Sequence, residues 1–429
     1  MARKMKDSGI EWIGEIPEGW SKNKVIRLFD IIGSGTTPKN ITSDFPVVNW
    51  IQSGDITGSF VSACKNVISA NLLSQYSALK VYPAPFIIIA MYGASVGNAS
   101  ISLIDGCVNQ ACCVLSSPSC NLHYAFYVIK SAQSYLVRKA VGGGQPNISQ
   151  ETIKQLWLPL PPLSTQDIIV RNLDATCSKI DDLLTSVHAS IEEYKKLKQA
   201  VITQAVTKGM RGEREMKDSG VEWIGKIPRE FDPVQLKFFC KLITDGTHFS
   251  PTTVENGWPY ITAGDVHGIG LDYNSAKRIS EEDFQLLVAQ GCQPLKGDVL
   301  LVKDGATTGR VGFVDSDTPC VILSSVAMLR PADNTDGHYL MYLLASDFLQ
   351  KQILVSMAGS AMPRTTLTKL TKYIGLLSPL HEQKEIANYL DAKCAEIDKL
   401  IAKKEQLVKE LESYKKSLIY EVVTGKREV

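Results

Sequence analysis

The chain has 429 residues, with 46 Lys or Arg against 45 Asp or Glu and a formal net charge of +1. A chain of that length holds about two to four domains, and its 44% hydrophobic residues support packed cores and exclude disorder as the main state. The even charge balance excludes a polybasic, histone-like binder but not a nucleic-acid reader that shares the work with a partner. The longest apolar stretch, PAPFIIIAMYGA at 83–94, is far short of the roughly 20 residues of a membrane span. The charged opening MARKMKDSG has no apolar segment behind it, so the expected compartment is the cytoplasm.

The first element is MKDSGIEWIGEIP at 5–17, which returns at 216–228 as MKDSGVEWIGKIP, identical at eleven of thirteen positions. A block of mixed α/β character follows, with β-rich runs VVNWI (47–51) and FIIIAMY (86–92) and a helical stretch near 122–140. Its loops are SGTTP (34–38), IQSGDI (51–56), YGASVGN (92–98) and GGGQPNIS (142–149). After the Pro-rich stop LPLPPLS a long helix is predicted. Leu173, Cys177, Ile180, Leu184, Val187, Ile191 and Tyr194 step by four and three, a narrow apolar seam. From about 165 to 207 such a helix spans roughly 64 Å, and its pattern ends at Gly209.

The second copy of the opening repeat leads into a second block. Its strands VLLVK (299–303) and VILSSVAML (321–329) and a helix near 337–357 keep the earlier order, and its loops are DGTHFSP (245–251), ITAGDV (261–266), DGATTGR (304–310) and GSAMPRTT (359–366). After LSPLHE a second long helix carries Leu390, Cys394, Ile397, Ile401, Lys404, Val408 and Leu411 in the same steps, broken only at Lys404, until Gly425. PLSTQ (162–166) and PLHEQ (379–383) open the two helices, and the step from Pro17 to Pro162 is 145 residues against 151 from Pro228 to Pro379. The flanks are thus nearly constant and the middles mostly dissimilar, which points to frames of constant role holding inserts of differing role.

A lone seam of this kind is unstable in water and needs a partner. The simplest solution packs the two helices on each other, and pseudo-two-fold symmetry makes the pair antiparallel, with the blocks at opposite ends of a rod. The expected fold class is α+β: two α/β-mixed domains joined by two long helices in an antiparallel coiled coil, with boundaries 1–160, 161–213, 214–376 and 377–429. The other faces of the helices, with seven basic and seven acidic residues in 161–213 and ten of each in 380–429, are either solvated or docking surface for other subunits. Block 1–160 carries 13 basic and 9 acidic residues, and 214–379 carries 16 and 19. With so little positive charge the chain alone should hold DNA weakly.

No constellation for catalysis is legible. Neither G-x-x-x-x-G-K-[ST] nor G-x-G-x-x-G occurs, nor an Asp/Asn-Pro-Pro-aromatic tetrad. Glu382-Gln383-Lys384 falls at a helix start instead of following a Pro-Asp on a strand. The ten cysteines include no C-x-x-C and the histidines no H-x-x-x-H, so no metal is expected and the cysteines read as small core hydrophobes. The glycine-bearing loops are either tight turns or places where backbone comes close to a nucleic-acid strand.

Taken in order, DSGIEWIGEIPEGW and its copy, SGTTP, NWIQSGDI with YITAGDV, YGASVGN with DGATTGR, GQPNIS, and the two PL-x-x-Q helix entries resemble the specificity subunit of a type I restriction–modification enzyme. The resemblance runs the whole length, twice. The second block departs at DGTHFSP and AMPRTT, as target-recognition domains with different targets would. It implies a non-catalytic subunit whose two target-recognition domains each read one half of a split, asymmetric site in double-stranded DNA, with the helices setting the gap. Two methyltransferase (modification) subunits would dock on the helices, bringing S-adenosylmethionine and adenine-N6 chemistry, and restriction/translocase subunits would join through them; no cofactor is implied in this chain. Candidate reading residues are Thr36, Thr37, Gln52, Ser53, Tyr92, Ser95, Asn98, Gln145 and Asn147 in the first block. In the second they are Thr247, His248, Thr262, Lys303, Thr307, Thr308, Arg310, Arg364 and Thr365, with Arg310 and Arg364 best suited to guanine or phosphate. Two other classes stay open: a coiled-coil scaffold presenting two ligand- or protein-binding modules, and an enzyme with an unfamiliar site.

Overall fold

The computed structural model describes residues 3–39, 41, 44–140, 146–357 and 363–429, the side chain of Ile269 excepted. The chain divides into two compact units, Met1–Val187 with Gln406–Val429, and His188–Glu405. Each unit therefore draws on both halves of the sequence and on both long helices.

The first unit is built on a five-stranded sheet in the order Ile31–Gly33, Cys112–Ser116, Phe86–Ala90, Ala99–Ser102, Phe60–Val61, antiparallel except for its last pair. The run FIIIA does not alternate because both of its faces are covered. Ile87 and Ile89 join the core beneath helix Leu122–Ser131, and Phe86, Ile88 and Ala90 join a second core on the other face. A three-stranded sheet of Cys107–Val108, Val47–Ile51 and Val67–Ser69 completes the unit.

The second unit repeats this topology. Its five strands, Cys240–Asp245, Val326–Pro331, Val299–Val302, Val311–Phe313 and Gly268–Ile269, stand in the same order. Val299 and Leu301 face one core, Leu300 and Val302 the other. The predicted run VILSSVAML is two strands, Val321–Ile322 and Val326–Pro331, parted by a turn. Each predicted helical stretch is likewise two helices, Leu122–Ser131 with Gln133–Arg138 and Gly337–Ala345 with Asp347–Ser356. Asn121 caps the first of one pair by accepting from Tyr124 N–H, and Asp336 the first of the other by accepting from Tyr339 N–H, both at 3.0 Å.

The long helices are Leu163–Lys208 and Leu380–Val423. In the first unit Tyr124 Oη donates to Pro159 O, just before one helix starts, and to Val423 O, where the other ends. Further along, Lys415 meets Asp181 at 2.6 Å, so the segments run antiparallel. In the second unit Arg214, just past the end of the first helix, holds Glu382 at the start of the second, and Lys198 meets Asp398, both at 2.6 Å. The pairs Asp181–Lys415 and Asp398–Lys198 are images of each other under the internal duplication. Leu173, Cys177, Ile180, Ile191, Leu390, Cys394 and Ile397 are buried, and Leu184, Val187, Ile401, Val408 and Leu411 half-buried. Lys404, the polar break in the seam, sets its ammonium 5.6 Å from the ring centre of Tyr194. The aspartates after Leu173 and Leu390 tie helix to block: Tyr127 donates to Asp174 at 2.6 Å and Tyr342 to Asp391 at 2.8 Å. Burial, then the carboxylate, pushes both phenols far above their usual range.

The duplicated opening repeat has one job in both units. Trp12 and Ile13 accept hydrogen bonds from Tyr420 Oη at the end of the second helix, and Lys426 Nζ donates to Ile13 O at 2.7 Å. Gly425 lies in the left-handed region (φ +73°), and a Cβ there would meet Pro17 Cγ at 2.4 Å. In the second unit Lys208, at the end of the first helix, donates to Lys226 O, and Ile202, Ala205 and Val206 pack with Ile224 and Ile227. The ten cysteines are free, and burial first of all pushes the thiols of Cys112, Cys113, Cys240 and Cys320 up to about 12. Among the described residues no helix is long and apolar enough to cross a membrane.

Urea unfolding should separate two kinds of ion pair. Arg214 and Glu382 are 11% and 2% exposed, so Glu382→Ala leaves a buried guanidinium unpaired and should cost about 3–5 kcal/mol. Lys198→Ala breaks a more exposed pair, its side chains 31% and 54% exposed, and should cost about 1 kcal/mol or less. Equal losses would contradict this ranking.

Candidate functional site

In each unit the polar loops converge on one turn that the sequence did not single out. In the first unit Asn109 N–H donates to Ile51 O (3.2 Å), Gln110 Oε1 accepts from Thr37 Oγ1 (2.5 Å), and Met91 N–H donates to Ala111 O (2.7 Å). Ile148 N–H then donates to Met91 O at 2.9 Å, and Tyr92 bridges to Asn147. The turn 109–111 thus gathers Thr36 and Thr37, Gln52 and Ser53, Tyr92, and Asn147. In the second unit Leu323 N–H donates to Ile261 O (2.9 Å), Ser324 N–H to Thr247 O (2.9 Å) and Lys303 N–H to Ser325 O (2.8 Å). Thr365 N–H donates to Lys303 O at 2.9 Å, and Asp304 bridges to Arg364. Turn 323–325 thus gathers Thr247 and His248, Thr262, Lys303 and Arg364. NQA and LSS share no residue, so nothing in the sequence marked these turns; Asn109 and Gln110 join the candidates.

The glycine of SGT and DGT is required by this convergence. A Cβ on Gly35 would lie 1.6 Å from Val108 O, and one on Gly246 1.9 Å from Ile322 O. The aspartates of QSGD and TAGD fix their own turns: Asp55 accepts from Gln52 N–H at 2.9 Å and Asp265 from Thr262 N–H at 2.8 Å. Thr262 Oγ1 also donates to Asp265 at 2.8 Å, and Gln52 Oε1 accepts from Asn66 at 3.3 Å.

The remaining candidates sit differently. Ser95 Oγ donates to Tyr92 O at 3.4 Å, and Thr308 Oγ1 to Gly305 O at 2.6 Å, so both brace their own turns; Thr307 is half-buried in the same turn. Asn98 accepts from Gln133 at 2.6 Å and lines a cleft of about 900 Å³ with Lys130, Arg138 and Lys415. Burial, then the neighbouring Lys415, holds the Lys130 ammonium below the usual lysine range. Arg310 is half-buried at the matching end of its loop. Gln145 lies outside the described residues.

Three expectations need correction. Lys303 is 3% exposed and held by Asp245 (3.2 Å) and Asp304 (3.3 Å). Thr365 is fully buried with its hydroxyl 2.6 Å from that of Tyr373, and Thr247 is buried with its Oγ1 accepting from Phe249 N–H at 2.9 Å. They were placed outward because their loops are polar; their side chains instead satisfy groups beneath the surface. Tyr92, Asn147, Thr37, His248 and Arg364 remain exposed. The two sites also differ in charge. Ser34 Oγ donates to Cys112 O at 2.8 Å beneath the first, whereas Asp245, Lys303, Asp304 and Arg364 form an ionic network beneath the second.

The chain is 27% identical over 314 residues to the type I restriction enzyme MjaVIII specificity subunit of Methanocaldococcus jannaschii, covering 71% of this chain and 69% of that one. It is 24% identical over 448 residues to the putative type I restriction enzyme MjaX specificity subunit of the same organism, covering 96% and 95%. With the type I restriction enzyme EcoBI specificity subunit of Escherichia coli it shares 24% identity over 378 residues, 84% of this chain and 78% of that one. A chain from a structure solved for complex assembly and conformational transition of the type I R-M system shares its fold, with a TM-score of 0.71 at 17% identity over 95% of this chain and 98% of that one. The type I restriction modification DNA specificity domain matches residues 17–193 and again 228–410, one match for each repeat of frame and insert, and the chain belongs to that family.

Proposed function

We propose that this specificity subunit reads a bipartite, asymmetric DNA site, each unit taking one half, and that it carries no catalytic group of its own. The observation that carries this reading is the loop constellation built twice on one topology with different side chains at matched positions: Thr37 and His248, Tyr92 and Asp304, Asn147 and Arg364. Matched backbones with unmatched donors and acceptors are what two readers of different base sequences require. The divisions 1–160 and 214–376 serve as the reading blocks and the helices 161–213 and 377–429 as the spacer. Two methyltransferase subunits docked along the helices supply S-adenosylmethionine and adenine-N6 transfer, with the target adenine flipped into them, and restriction subunits join through that assembly. The acidic balance of the second block makes affinity depend on those partners. The work is done in the cytoplasm, where the DNA lies.

Replacing 17–160 with the matching block of another family member should change one half of the methylated motif and leave the other as it was, as read by sequencing methylated DNA from cells carrying the assembled enzyme. A change in both halves would remove the modular assignment. Adding one heptad to each long helix beside the facing residues Asp181 and Lys415 lengthens the pair by about 10 Å. The gap should grow by roughly three base pairs with both half-sites retained; altered half-sites with a constant gap would rule out the helices as spacer.

A further inference from the structure

We infer that Arg364 is a preorganised guanine reader in the second unit, and that the residue in its place in the first unit, Asn147, reads adenine. This deepens the bipartite reading above and rests on it. The two residues occupy one position in the repeated fold. Each follows the proline of its loop, and the carbonyls of Pro146 and Pro363 accept from Gly93 and Gly305 N–H at 3.0 Å. Each forms a β-bridge to the residue that opens the glycine turn, Tyr92 or Asp304. Each is followed by a residue whose N–H donates to Met91 O or Lys303 O at 2.9 Å.

What lies beneath them differs as a set. Under Asn147 the matched residues are Ser34, Met91 and Tyr92, all uncharged; under Arg364 they are Asp245, Lys303 and Asp304. Lys303 is almost fully buried between the two carboxylates, and two carboxylates against one ammonium leave one negative charge. Arg364 supplies the balancing positive charge, with its Nε 3.0 Å from Asp304 Oδ1. That carboxylate oxygen is buried and accepts no hydrogen bond among the described residues, so the pairing is one of charge, and the arginine answers a carboxylate fixed inside the fold. Carboxylates at a DNA-facing surface repel phosphate, and an arginine already neutralised by Asp304 is a poor phosphate ligand. It is a good base reader: with Nε drawn inward, the outer Nη1–Nη2 edge is the fork that matches guanine O6 and N7, and the side chain is 57% exposed. Asn147 is exposed above a neutral floor, and its amide matches adenine N6 and N7. Asp304 acts as a positioning residue.

The test is selection from randomised duplexes by the chain assembled with its methyltransferase subunits, comparing wild type with Arg364→Ala, Arg364→Lys, Asp304→Asn and Asn147→Ala. Arg364→Ala should erase the preference for one guanine in one half-site, a loss of about 5- to 150-fold, while the other half-site is selected as before, which also shows that the complex has folded. Arg364→Lys should erase the same preference, since the charge remains and the fork does not. Asp304→Asn should weaken that preference alone, and Asn147→Ala should erase one adenine in the opposite half. If Arg364→Ala keeps the wild-type preferences, or weakens all sequences alike with a shallower salt dependence, the arginine is not a base reader and this inference falls while the bipartite reading stands. A wild-type complex without any sequence preference would overturn both.

Discussion

An apolar stripe running along a helix of more than forty residues cannot be left in water, and this chain makes two such helices. In each unit the stripe of one helix is covered by the other, and the facing pairs Asp181–Lys415 and Asp398–Lys198 show that one register serves both. Each block is then fastened to the helix pair by the same devices: a tyrosine on Asp174 or Asp391, and an opening repeat folded over a helix end. The frame residues are alike in both halves because they meet the same surfaces.

That division of labour is visible at single positions. Gly35 and Gly246 are glycine in both units because carbonyl oxygens leave no room for a Cβ. Asp55 and Asp265 are aspartate in both because each fixes a turn. Between these fixed points the backbone presents Thr37 or His248, Tyr92 or Asp304, Asn147 or Arg364. A scaffold that holds backbone geometry with glycines and turn-fixing carboxylates can change its exposed side chains at small cost in stability.

Much of this could be read from the residues alone. The four-three seam follows from a periodicity that burial imposes, the unalternating strand FIIIA from burial on both faces, and the flanks from plain repetition. Lys404 looked like a defect, and its answer, the ring of Tyr194, depended on which residue stood opposite. The gathering turns 109–111 and 323–325 were invisible because their role is played by backbone N–H and C=O groups, which any sequence supplies. VILSSVAML looked like one strand because nothing in its side chains marks where the ladder stops and the turn takes over. Lys303, Thr247 and Thr365 were misplaced for a related reason: a polar residue in a polar loop faces inward when a partner awaits it, and that partner, Asp245 for Lys303, Tyr373 for Thr365 or the Phe249 N–H for Thr247, is set by the fold and not by the polarity of the loop.

The closing of the second long helix against the opening repeat also bears on how the protein is made. Leu418, Ile419, Val422 and Val423 belong to the same core as Ile10, Trp12, Ile13 and Trp20. A growing chain leaves the ribosome from its N-terminus, so the unit synthesised first keeps an open hydrophobic face until residues 418–423 emerge. A chain cut short before 418–423 would therefore leave that face of the N-terminal body uncovered.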